Sequence, residues 1–240
     1  MSYEAVPNGE LAAVVTYLEM VAPPGHAVPS SPLSVKRVEV PQPEHYRELF
    51  RLIGERWLWF SRLILDEAHL AEIVQHPKVE LYRVLDGANR QVGMLELDFR
   101  EPHECELAFI GLVPELAGQG HGRWLLAEAV RRAWREGVDR VHVHTCSLDH
   151  PAALAAYTRA GFTPYKRAIE RFADAPARLP AARLRASGAA AGHPNGRVLA
   201  RQLNVDPGEH HEKRAVRRRA HQLTDKGHKQ AANRPLLHSA

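Results

Sequence analysis

Three short runs rich in apolar, β-branched and aromatic residues, 79–85, 91–99 and 105–113, follow one another with only short polar breaks between them and read as β-strands. The last two are joined by a tight turn around Pro102 and His103, which makes the group an antiparallel meander. Helical periods bracket it. Tyr46, Leu49, Phe50, Ile53 and Trp57 recur at helical spacing after Pro41 and Pro43, and 66–75 begins like a helix capped by Asp66. Downstream, 122–136 carries Leu126, Ala129, Val130 and Ala133 on one face, 140–146 is β-branched and alternating, and 151–160 is helical with Pro151 at its opening and Gly161 at its end. Strands at 14–20 and 162–171, the second interrupted by Pro164, complete the order. Strand, two helices, three antiparallel strands, helix, strand, helix, strand is the pattern of an α/β (α+β) fold. It predicts a three-layer sandwich with a mixed, mostly antiparallel sheet and helices on both faces.

Charge divides the chain in two. Residues 181–240 hold 12 Lys and Arg against 4 Asp and Glu, whereas 1–180 hold 20 against 24. All 16 aromatic residues lie at or before Phe172, and the basic segment also lacks Ile, Met and Cys. Such a segment has little large apolar surface to offset the ~1–2 kcal/mol per residue that backbone ordering costs, so 181–240 is expected to be a tail of low order behind a 1–180 body. Within the body, 22–34 carries Pro23, Pro24, Pro29 and Pro32 among small residues and reads as an exposed connector. Two cysteines without CxxC spacing give no disulfide framework. No run reaches the ~18 apolar residues of a membrane span, and the early apolar stretch 11–18 lacks the basic flank of a signal peptide. A cytoplasmic protein with no membrane partner is expected.

The segment 113–123, Val-Pro-Glu-Leu-Ala-Gly-Gln-Gly-His-Gly-Arg, joins a predicted strand directly to a predicted helix. Unpaired NH groups at a helix start sit at the positive end of the helix dipole, and a loop with little side-chain bulk can wrap them around a pyrophosphate. A flexible turn is the competing reading of glycines alone. Walker A is excluded because no Gly-Lys-Ser/Thr follows, and the dinucleotide fingerprint fails because GxGxG here succeeds an antiparallel meander.

This strand, loop and helix, with Tyr157-Thr-Arg-Ala-Gly161-Phe162 about thirty-five residues later, resembles the GNAT superfamily of acyl-CoA-dependent N-acetyltransferases. Gly120 and Gly122 match the small positions of the family loop Arg/Gln-x-x-Gly-x-Gly/Ala, while Ala117 stands at the Arg/Gln position. Ala153, Tyr157, Gly161 and Phe162 match the later motif, with His150 replacing its Asn and Ala156 its larger hydrophobe. The resemblance implies acetyl-CoA as cosubstrate and transfer of its acetyl group, by direct attack, to the amine of a small-molecule or peptide acceptor. It further implies that Gly118, Gln119, Gly120, His121, Gly122 and Arg123 cradle the pyrophosphate. The pantetheine arm would pair with Leu112 and Val113 where their strand splays from the next, Gly111 suiting a bulge there. Tyr157 would be the acid that protonates the leaving thiolate.

For the base, alternation puts Glu96 and Asp98 on one face of their strand and Glu104 and Glu106 on one face of the next. In a hairpin near Glu101 these carboxylates face each other, which would raise their pKa values and seat a cationic amine. Glu106 occupies the position from which some family members supply a base. His142, His144 and Cys146 alternate on one strand face with His150 beyond, a set of zinc-accepting types, but zinc sets seldom come as three alternating residues of one sheet strand, and no metal is expected. Trp57, Trp59 and Phe60 would line an acceptor pocket or simply pack. The run Lys213-Arg214-Ala-Val-Arg217-Arg218-Arg219 could hold nucleic-acid phosphates nonspecifically. That leaves one alternative function: a catalytically inactive acyl-CoA fold with a nucleic-acid-binding or regulatory role through the tail.

Overall fold

The computed structural model describes residues 3–25 and 27–174, all within the first of two units, 1–188 and 189–240, into which contacts divide the chain. The basic tail expected at 181–240, with its arginine run, lies outside the described residues.

Among the described residues seven strands form one sheet: β1 (Glu10–Met20), β2 (Ser34–Arg37), β3 (Val79–Leu85), β4 (Gln91–Asp98), β5 (Glu104–Leu112), β6 (Arg140–Cys146) and β7 (Thr163–Ala173). Their spatial order is β2-β3-β4-β5-β6-β1-β7, antiparallel throughout except for the β5–β6 pair. The helices α1 (Pro43–Gly54), α2 (Glu67–Val74), α3 (His121–Ala133) and α4 (Ala153–Arg159) complete the expected sandwich. Strand alternation sorts the core. Leu81 and Met94 face Tyr46, Leu49, Phe50 and Ile53 of α1 and Leu70 and Val74 of α2. Tyr82, Leu95, Leu97, Cys105, Leu107, Val141 and Val143 face Leu126, Ala129, Val130 and Ala133 of α3, with Tyr157 and Phe162 beside them. Helix α3 carries the chain across this second face from β5 to the parallel β6, as a crossover must.

A four-residue β2, not expected, begins at Ser34 where the expected connector ends and pairs with β3, and Leu33 within that connector is buried with Val84, Trp124 and Leu125. The strand β1 lies between β6 and β7 and pairs with both. The N-terminal segment therefore supplies an interior strand of the sheet, next to β6.

Candidate active site

Strands β5 and β6 are hydrogen-bonded neighbours over three pairs only, Glu104↔Arg140, Cys105↔Val141 and Glu106↔His142. Beyond them β5 runs on to Leu112 along β4, and β6 runs on to Cys146 along β1. The two strands part company at Glu106, leaving a cleft that opens toward the start of α3. Antiparallel pairs alternate between hydrogen-bonded and non-hydrogen-bonded. Because the Val113 amide donates to the Val92 carbonyl (2.8 Å), the backbone groups of Leu112 point the other way, into the cleft. Val113, by contrast, donates its NH to Val92, and its carbonyl accepts from Leu116. The bulge is not at Gly111. The register slips between Glu96–Phe109 and Leu97–Leu107, so Ala108 is the extra residue, while Gly111 stays opposite Met94. Glycine at 111 serves packing instead: a Cβ there would stand 2.5 Å from Ile53 Cγ2.

The glycine loop follows at once, through a 3-10 turn, Pro114–Leu116. Gly118 and Gly120 have φ of +75° and +83°, which side-chain-bearing residues rarely adopt, and Gly120 is the N-cap of α3 without a side-chain acceptor for the first-turn NH groups. No atom lies within 4 Å of a Cβ placed on Gly118, Gly120 or Gly122. The loop is an open, uncapped helix start of the kind that holds phosphate. Gln119 is tied to the Glu115 carbonyl (2.8 Å), and His121 Nδ1 meets Ser31 Oγ of the connector (3.4 Å). Arg123 is exposed on the first turn.

Tyr157 and Glu106 lie toward opposite faces of the sheet. Tyr157 packs with the α3-side core and edge-on to Phe162, ring centroids 5.9 Å apart. Burial, reinforced by Asp149, pushes its phenol well above the usual range, so it keeps its proton at neutral pH. Glu106 alternates with Cys105 and Leu107 of that core and so faces the other layer.

The expected carboxylate cluster does not assemble. Glu96 is fully buried and already engaged: Arg62 donates to it at 2.8 Å, and the Tyr46 hydroxyl donates to its other oxygen. Asp98 stands opposite Glu106 but is clasped by Arg100, and Glu104 accepts from Arg140, which Glu19 shares. Glu96, Asp98 and Glu104 are instead each paired with an arginine, Arg62, Arg100 and Arg140. Glu106 itself is paired with His144, Nδ1 to Oε1 3.2 Å. Burial alone would raise its carboxyl, but the His144 hydrogen bond and the nearby His142 and Arg62 override this and hold it down at about 2, the reverse of the expected rise. Burial, aided by Arg140, pulls His142 below its usual range against the charge of Glu106. Among the described residues no group of three or more His, Cys, Asp and Glu is arranged to hold a metal ion.

Several contributors were not foreseen. Arg62 comes from the loop between α1 and α2, Tyr17 and Glu19 from β1, and Asp149 from the turn after β6. Asp149 accepts from the Trp59 indole (3.3 Å), the Thr145 hydroxyl and the Cys146 amide, while Trp59 packs on Phe109 of β5. Trp59 thus spans the two sides of the cleft. Trp57 rests on His150, and Phe60 on Phe172.

Residues 44–162 match the model of the acetyltransferase (GNAT) family. The chain belongs to the GNAT superfamily. Over 82 residues it is 38% identical to a mycothiol acetyltransferase of Jonesia denitrificans, a match covering 33% of this chain and 26% of the relative, so it spans about a quarter of that protein's length. Similar solved structures include a functionally unknown conserved protein of Staphylococcus epidermidis (14% identity, TM-score 0.48, 69% of this chain and 63% of that one). Another is a GCN5-related N-acetyltransferase of Sphaerobacter thermophilus (16% identity, TM-score 0.47, 68% and 52%). Among the described residues no helix is long and apolar enough to cross a membrane.

Proposed function

We propose that this GNAT chain transfers the acetyl group of acetyl-CoA to the amine of a small-molecule or peptide acceptor, by direct attack and in the cytoplasm. The observation that carries the reading is the coincidence, on one strand–loop–helix unit, of a β5–β6 cleft opening at Glu106 and an uncapped glycine loop at its mouth. The family match and the likeness to an acetyltransferase support the chemistry. Two free cysteines, one of them buried, suit a reducing compartment.

The residues present fit acetyl-CoA. The NH groups of the loop Gly118, Gln119, Gly120, His121, Gly122 and Arg123 would receive the pyrophosphate, and the cleft-facing backbone of Leu112 would pair with the pantetheine arm. Bound acetyl-CoA supplies the thioester carbon that an amine attacks. Glu106, ionised throughout the working range, draws the ammonium to the point where the strands part. Tyr157 holds a proton ready for the departing sulfur, in apolar surroundings that disfavour a thiolate as much as a phenolate. Release of free thiol from acetyl-CoA in the presence of mixed primary amines tests the proposal, with acetylated products expected. Binding without turnover by any amine would favour an inactive acyl-CoA fold.

A further inference from the structure

Removing the amine's proton needs a group that is unprotonated at working pH and still basic enough to take it. Glu106 is unprotonated but, held at about 2, it is a poor acceptor. The imidazole beside it answers both needs. His144 lies two residues beyond His142, the last β6 residue laddered to β5, and hence on the same face as Glu106 but on the widening side of the cleft. Its side chain is 45% exposed against 17% for Glu106, so it is the more open of the two to an incoming amine. Tyr17 of β1 packs against the ring, centroids 5.8 Å apart. An ionised carboxylate can only accept, so the proton of the 3.2 Å contact resides on Nδ1, and the free lone pair of the neutral ring is on Nε2.

We propose that His144 Nε2 accepts the proton of the attacking amine and that Glu106 is its orienting carboxylate. This rests on the acetyl-transfer reading and deepens it. The division of labour is that of a carboxylate–histidine pair, in which the carboxylate fixes the tautomer and stabilises the imidazolium without itself being protonated. In the step, the neutral amine's lone pair forms the nitrogen–carbon bond, and the carbon–sulfur pair leaves on sulfur. The nitrogen's proton passes to Nε2, Tyr157 gives its proton to sulfur, and the imidazolium returns one to the tyrosinate through water. Nothing is oxidised or reduced.

The groups facing His144 are Glu106 of β5, His142 of β6, Asp149 of the following turn, Glu170 of β7 and Tyr17 of β1, with Arg62 facing Glu106 from the α1–α2 loop. Burial pulls the imidazole down, and Glu106, Asp149 and Glu170 lift it above 6.5. His144 must be neutral to act, so kcat/KM should rise with pH along a limb above that value.

The test uses the full chain with acetyl-CoA and spermidine, glucosamine and glycinamide as amines. His144→Gln should lower the rate by about 10²–10⁴-fold, abolish this limb and recover as the amine becomes neutral by itself. Free imidazole should partly restore His144→Gly. Glu106→Gln should keep a limb, displaced to lower pH. A wild-type profile in His144→Gln, with the limb lost only in Glu106→Gln, would overturn the assignment. Imidazole NMR gives a readout without turnover: the signal missing in His144→Gln should titrate above 6.5 and move down in Glu106→Gln, and titration below 6.5 in the wild type would overturn it. Calorimetry keeps the two readings apart, because failure of the wild type to bind acetyl-CoA sinks the acetyl-transfer reading, whereas intact binding and turnover with an indifferent His144 sinks only this inference.

Discussion

Tyr157 is held by packing and not by a hydrogen bond network, so its ring and its proton can be separated. Tyr157→Phe keeps the contact with Phe162 and removes the donor. The acetyl-CoA dissociation constant should stay within about twofold while kcat falls by about 10²-fold under conditions where chemistry limits the rate. An unchanged kcat in single-turnover measurements would reduce Tyr157 to a core residue. Arg62 is 8% exposed and its charge is spent on Glu96. Arg62→Met should therefore cost about 3–5 kcal/mol in chemical denaturation by stranding a buried carboxylate, and adding Glu96→Leu should restore much of the loss. The double variant being as unstable as the single one would contradict that. Acid stability has a readable sign at Glu106. Its folded pKa is lowered, so its contribution is full above the ordinary value of 4.5 and is lost as pH falls toward about 2. At this scale Glu106 and Tyr157 stand out in the sequence because each lies in a local pattern. The partners that decide their chemistry do not stand out: Arg62 meets Glu96 across 34 positions and His144 meets Glu106 across 38. The expectation of a raised Glu106 failed because its contact with His144 is non-local.

The loop opening α3 is the element on which cosubstrate binding depends. Gly120 has a positive φ and any replacement strains the backbone, which would confuse binding with folding. Gly122 has an ordinary φ and nothing within 4 Å of its would-be Cβ. Gly122→Val should fold with a nearly unchanged melting temperature yet weaken acetyl-CoA binding about tenfold or more, ~1.4 kcal/mol, by placing bulk where phosphate belongs. Native affinity in a folded Gly122→Val protein would move the pyrophosphate elsewhere. Element type was legible wherever a period was sustained: 79–85 and 140–146 coincide with β3 and β6, and Asp66 caps α2 by accepting from His69 N. The short β2 was not, since four residues with only Val35 apolar among Ser, Lys and Arg carry no alternation. Nor was the place of β1, because which strands become neighbours is set by distant pairing and not by local pattern. The bulge at Ala108 was likewise invisible beside the more conspicuous Gly111.

For the molecule as a whole, β1 is the strand that makes the N-terminal segment indispensable. Pairing with β6 on one side and β7 on the other, it brings Leu18 and Met20 into the main core. Deleting residues 1–20 should abolish cooperative thermal unfolding followed by circular dichroism. The three core clusters, by contrast, are built within the described residues, so removal of 183–240 should leave a cooperative, acetyl-CoA-binding protein. Loss of cooperativity on that truncation would give the basic segment a packing role. The account stands most directly on one assay: free thiol released from acetyl-CoA by the purified full chain with a mixture of primary amines, with the products identified by mass spectrometry. It predicts thiol release matched one for one by amines that have gained a single acetyl group, with both signals lost in Gly122→Val at low acetyl-CoA and reduced in Tyr157→Phe. Acetyl-CoA bound tightly but never consumed, or thiol released without any acetylated amine, would contradict it.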